Sequence, residues 1–258
     1  MTFTDKYLKV KTRKFHSSVL IVWAALSAAA MLIPGIPTLG TGGNMSLTYP
    51  LAPISGILFG PFAGALATMI GSIVGTVIAP AAANLGIWTF TVQTGTALIA
   101  GYLSRGKLQV PVALILVFMI WMYTLPTFQT AWWHGWLALF TILLSVVAAK
   151  WICKLLKEAN AAKLAVGTYI IAMASFLFGI LISDPLATIM FDLQPDLYKL
   201  LTWLMPIERL IFSLFTTILA VPLIIGLPKI KIFVGPKYDE GEEKEDDIDR
   251  KMQGKISQ

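Results

Sequence analysis

The sequence predicts an all-α fold, a polytopic membrane helical bundle of about eight apolar segments, and three observations predict it. Of the 258 residues, 57 % are apolar and 13 % charged, with a mean hydropathy of +0.75; soluble domains carry about twice that share of charge. The apolar residues fall into runs that approach the roughly 20 residues a helix needs to cross a bilayer. The Lys and Arg residues sit in short clusters between those runs. A nucleic-acid binder would gather them on one continuous face, so the pI near 9.4 does not imply a nucleic-acid partner. Cys153 is the only cysteine, and His16 and His134 make no recognisable zinc or haem spacing. No cofactor or metal is expected.

Taken in order, the first segment, 18–33, follows a basic stretch, 1–17, in which Tyr7, Leu8, Val10 and Phe15 are mixed with lysines, as suits an entry at an anionic leaflet. A basic stretch before a short apolar core also matches a cleavable secretory leader. The retained helix is the reading adopted, because Ala24 with Ala28, and Ala25 with Ala29, make two overlapping small-residue ridges suited to close helix contact. The second segment, 46–59, is interrupted by Pro50, Pro53 and Gly56 and reads as a short, broken or re-entrant element. Gly60 and Pro61 join it to the third, 62–79, where Gly64, Thr68, Gly71 and Gly75 form another close-packing ridge. The fourth spans 86–103. The fifth and sixth, 110–125 and 135–152, make an antiparallel pair around a turn containing Trp132, Trp133, His134 and Trp136. The seventh, 164–182, ends beside Asp184, and the eighth, 206–227, opens with Pro206 suited to a first helical position. The acidic run that follows is too charged to bury a core and reads as a disordered tail. The chain thus divides into a juxtamembrane segment 1–17, a transmembrane domain 18–228 and a tail 229–258.

Charge sets an expected orientation. With both termini in the cytoplasm, eighteen of the twenty Lys and Arg residues lie inside, and only Lys199 and Arg209 fall outside. The stretches 34–45, 80–85 and 126–134, all outer in this topology, carry no Lys, Arg, Asp or Glu.

Polar groups at membrane depth need partners or a water-filled cavity. Thr89 and Gln93 share one face of the fourth helix, with Asn84 and Trp88 nearby, and Gln93 lies about 10 Å below Gly86. A buried amide there must bond another helix or a bound molecule. Asp184, Glu208 and Arg209 are expected near the outer surface, where an Asp184 to Arg209 pair is plausible. Glu208 in a first turn would equally serve the helix dipole. The tryptophan-rich turn reads as an interface anchor, and His134 as a solvated turn residue. The loop 34–44 is uncharged and rich in Gly, Pro and Thr, and can be a lid or a linker.

The order of several pieces resembles a known family. These are the Ala24 to Ala29 ridges, the proline-rich outer loop running into Pro53, Gly56, Gly60, Pro61 and Gly64, the pair Asn84 and Gly86 before a helix that closes on Gly101, Tyr102, Ser104 and Arg105, and the opening Pro206, Glu208, Arg209. In this the chain resembles the substrate-binding (S) components of energy-coupling factor transporters, over most of 19–105 and more loosely over 164–227. The resemblance implies capture of a vitamin or related micronutrient, ligand contacts on the first outer loop and the fourth helix, and docking of the first helix on a transmembrane coupling subunit that works with ATPase subunits. Such components have six helices. The pair 110–152 is an addition, and an inserted pair preserves the orientation of everything after it.

The expected function is therefore binding and uptake of a small water-soluble compound, with Asn44, Thr48, Asn84, Trp88, Thr89, Gln93, Asp184, Glu208 and Arg209 lining an outward cavity. Ala24, Ala25, Ala28 and Ala29 would form the docking surface. The chain has no GxxxxGK[ST] phosphate loop, so energy would come from partners. An intramembrane enzyme or flippase acting on a lipid or polyprenyl substrate is the alternative, but no clustered acid, base or nucleophile is evident in the sequence. A secondary transporter would show a counterpart of the breaks at Pro50 and Pro53 in its second half.

Overall fold

The computed structural model describes residues 17–33, 36–37, 44–157 and 160–230. The basic segment before them, most of the loop 34–44 and the acidic tail after them lie outside the described residues.

The chain is a helical membrane protein. Nine α-helices are seen among the described residues: α1 (Ser17–Ala30), α2 (Thr48–Phe59), α3 (Pro61–Ile78), α4 (Thr89–Leu103), α5 (Gln109–Thr124), the short α6 (Pro126–Thr130), α7 (Trp136–Lys150), α8 (Ala161–Phe191) and α9 (Leu197–Gly226). Short 3₁₀ turns lie between several of them, and a two-residue antiparallel pair sets Ile36 against Met45 and Pro37 against Asn44. Four stretches are long and apolar enough to cross a membrane, 61–78, 132–150, 161–191 and 197–226, while α1, α2 and α5 are apolar but shorter. At 1.5 Å per residue, the 12 residues of α2 reach only about 18 Å, short of the about 30 Å hydrocarbon core.

Small residues set the packing on one side of the bundle. A Cβ on Gly71 would come within 2.6 Å of the Ala24 carbonyl oxygen, and one on Gly75 within 2.5 Å of Met31 Sδ, so α3 lies directly on α1. The turn at Gly60, whose φ of 97° is open to glycine at little cost, sends α3 back beside α2, and Ser55 Oγ donates across this hairpin to the Gly64 carbonyl at 2.8 Å. Helix α4 lies parallel to α2. A Cβ on Gly56 would overlap the Ala97 carbonyl, and one on Gly101 would come within 2.5 Å of Pro61. The opposite side of α4 meets α8, with Gly95 against Phe178 and Ile182 and Gly179 against Val92 and Thr96.

Two helices differ from the sequence expectation. Helix α8 does not end near residue 182 but runs through Pro185 to Phe191, and α9 begins at Leu197 with Pro206 in its interior. A proline removes one helical hydrogen bond, yet surrounding helices and hydroxyls can re-satisfy the freed carbonyl inside a membrane bundle. Glu208 and Arg209 therefore sit on the fourth turn, about 17 Å along α9, and not in a first turn at the surface.

Candidate functional site

Contacts between neighbouring helices define two ends of the bundle. At one, Arg105 closes α4. Its guanidinium donates to the Gly101 carbonyl at 3.0 Å, to the Gly56 carbonyl at 3.3 Å and to Ser104 Oγ at 3.1 Å, clamping the ends of α2 and α4 where helix dipoles favour a cation. Burial lowers this guanidinium to about 10, so it remains protonated at neutral pH. The other end carries Thr48, Thr89 and the Trp132 turn, and the sequence-predicted site residues lie in its half of the molecule.

Gln93 is fully buried, and neither its amide nitrogen nor its amide oxygen has a hydrogen-bond partner among the described residues. Its direction follows from helix geometry. Val92 and Thr96 face α8, Ala97 faces α2, and Gln93 projects between those two sides, with Thr89 above it on the same face. Since Gly56 lies level with Ala97 and α2 runs parallel to α4, one turn back sets Gln93 level with Ala52 and two turns back sets Thr89 level with Thr48. Beside α2 runs α9. Thr216 Oγ1 donates to the Pro50 carbonyl at 3.2 Å, Phe212 meets Tyr49 at 6.3 Å between ring centroids, and Tyr49 is within electrostatic reach of both Arg209 and Glu208. Both charged residues are buried, at 5 % and 6 % exposure. The buried polar groups of this half are thus an unsatisfied amide on α4 and, where α2 meets α9, a phenol and two charged side chains, donor and acceptor chemistry of the kinds that recognise a small polar molecule. Tyr49 was not singled out in the sequence. Its signal there is weak, since a tyrosine between Thr48 and Pro50 reads as an interfacial residue.

The remaining candidates separate. Thr48 Oγ1 donates to the Ser27 carbonyl at 3.1 Å, tying α2 to α1, and Thr89 Oγ1 accepts the Leu85 N–H at 3.2 Å as a local cap. Beside Thr48 the hydroxyls of Ser27 and Ser46 are buried without partners among the described residues. Asn84 is half-buried. Trp88 turns away from the interior: it is about half exposed, stacks on Phe90, and borders a lateral groove of about 380 Å³ between α4, α5 and α8, lined also by Phe118, Trp121 and Ile182. Of Asn44 only the backbone is described, paired with Pro37. The two alanine ridges also separate. Ala24 and Ala28 are buried, Ala24 against Gly71 of α3, whereas Ala25 and Ala29 are exposed.

The largest correction concerns His134 and Asp184. His134 is not a solvated turn residue; it is fully buried, with Nε2 2.7 Å from Asp184 Oδ2 and Nδ1 2.6 Å from Thr202 Oγ1. The Asp184 carboxylate is engaged by His134, with Ser183 Oγ donating to its other oxygen at 3.3 Å, and not by Arg209. Around them Tyr198 and Thr188 share a 2.7 Å hydrogen bond, Thr188 Oγ1 donates to the Asp184 carbonyl at 2.8 Å, and the Phe128 ring packs at a tilt against both Tyr198 and His134. The set has the residue types of a nucleophile with its base and acid. However, Thr202 Oγ1 also donates to the Tyr198 carbonyl, and all three side chains are sealed from solvent, so the hydroxyl is not presented to a substrate. Among the described residues no group of three His, Cys, Asp or Glu could hold a metal ion.

No protein-family description matches the chain, and no solved structure matches it. It is similar to an uncharacterized protein of the archaeon Methanocaldococcus jannaschii, with 27 % identity over 166 residues, covering 64 % of this chain. The matched region spans 56 % of that relative's length.

Proposed function

We propose that the chain binds a small water-soluble micronutrient, a vitamin or related compound, in the half of the bundle that holds Gln93, and serves as the substrate-specific subunit of an ATP-driven importer. The observation that carries this reading is the Gln93 amide. A buried amide with neither atom bonded costs about 1–3 kcal/mol, and buried polar groups in folded proteins are almost always paired. A ligand offering both a donor and an acceptor meets that need where Tyr49, Glu208 and Arg209 can orient it. Both termini are proposed to be cytoplasmic, which makes the Trp132 end outer and gives the site access to external solute. Coupling and ATPase subunits would supply the energy, with the exposed alanines of α1 available for docking. The resemblance to energy-coupling factor S components supports the same assignment. The lateral groove would suit a lipid-handling protein, but its lining is almost wholly apolar and offers no acid, base or nucleophile for chemistry.

The test is direct. Protein purified without added ligand should carry a small polar compound, identified by mass spectrometry after denaturation, and Gln93→Leu protein should not. Lipid alone recovered from both preparations would overturn the reading.

A further inference from the structure

The His134 cluster can be read by counting protons. The Tyr198 carbonyl can only accept, so the single proton of the Thr202 hydroxyl lies on that bond. Thr202 Oγ1 must then accept from His134, which puts a proton on Nδ1. One further proton is needed between Nε2 and Asp184 Oδ2, 2.7 Å apart. Whether it rests on nitrogen or on oxygen, the pair is electrically neutral as a unit and holds one proton more than a neutral imidazole beside a carboxylate. Burial argues the same way, because both side chains are almost fully excluded from solvent and a net charge at that depth is costly.

We propose that His134 and Asp184 form a buried proton-binding site, loaded with one proton while the turn Trp132–Gly135 is seated against α8 and α9, and unloaded when that turn lifts away. Among the described residues, His134 is the side chain of this turn that hydrogen-bonds to both helices. A further tie, Tyr123 Oη donating to the Trp132 carbonyl at 2.7 Å, runs back to α5. Trp132, two residues from His134, is 70 % exposed, so a released proton passes to water after a short local opening. The groups facing the pair are few. From α8 come Asp184 itself, Ser183 and Thr188, from α9 Tyr198 and Thr202, and from α5 and α6 the uncharged Met122 and Phe128. Glu208 and Arg209 lie about two turns further along α9, and the Lys199–Asp196 pair is on its exposed side.

The experiment uses the full chain in lipid nanodiscs, labelled with ¹⁵N-histidine in a His16→Gln background so that His134 alone is observed. At pH 7 the Nδ1 resonance should be that of a protonated nitrogen; an unprotonated Nδ1 overturns the proposal. The Nε2 resonance of the wild type should show a proton held on it or shared with the carboxylate, whereas in folded Asp184→Asn protein, where an amide N–H can take the place of the shared proton, Nε2 should read as an unprotonated acceptor. A wild-type Nε2 that reads as an unprotonated acceptor, as in the variant, overturns the proposal as well. The wild-type assignment decides the matter if the variant does not fold.

Discussion

Gln93 shows how one side chain can separate packing from recognition. As an interhelical clamp it would have a bonded partner across α2 or α8; instead both polar atoms are buried without one among the described residues. Once the ligand is known, Gln93→Ala should weaken its binding by about 1–3 kcal/mol in isothermal titration, more than Asn44→Ala in the loop above. Gln93→Leu should abolish the same hydrogen bonds yet leave the melting temperature unchanged or raised, since replacing an unpaired buried amide by an apolar group of similar shape removes a desolvation cost. An equal loss of stability and binding in both variants would assign the amide to the fold. Gln93 and Thr89 are legible in the sequence because their four-residue spacing fixes a shared face. The placement of His134 is not, since a histidine in a Gly- and Trp-containing turn gives no local sign that Asp184, fifty residues on, will meet it.

At the scale of elements, the ridges on α1 make opposite predictions. Ala24 packs where Gly71 allows backbone contact, so Ala24→Leu forces overpacking and should cost about 1–3 kcal/mol of stability, read as a lower melting temperature. Ala25→Leu lies on the exposed face and should leave melting unchanged. If α1 docks on a membrane partner, Ala25→Leu should weaken co-purification with that partner, and Ala25→Leu with undiminished association would move the docking surface elsewhere. Arg105 holds another junction. Arg105→Met removes a cation that bonds the Gly56 carbonyl of α2 together with the Gly101 carbonyl and Ser104 Oγ at the end of α4, and should destabilise the chain by about 1–3 kcal/mol. Arg105→Lys should recover only part of that, because a point-charge ammonium cannot span the same fork.

For the whole molecule, orientation is the property to test. In a Cys153→Ser background, Gly42→Cys should react with an impermeant thiol reagent added outside intact cells, and Glu245→Cys should react only after permeabilisation. Labelling of position 245 from outside would reverse the assignment of ends and move the Gln93 site to the cytoplasmic half. The four long apolar stretches and the shorter α1, α2, α4 and α5 leave room for helices that do not cross the full bilayer. The unpartnered Gln93 amide lies on α4, beside the short α2.

Composition and charge spacing sufficed for the membrane class, for the order of the apolar segments and for the expected sidedness, because each depends on residues close in sequence and on their transfer to or retention from lipid. Glycine spacing likewise identified α3 as a close-packing helix before any partner was known. Helix bounds near proline were decided only by the folded molecule: the sequence reading ended one segment at 182 and opened the next at Pro206, yet Pro185 and Pro206 both lie inside longer helices. That extension carries Glu208 and Arg209 inward beside Tyr49 and sets Asp184 within reach of His134. Which polar groups meet is a property of packing between distant segments, and no local pattern encodes the balance between the cost of burying each group and the partner that offsets it.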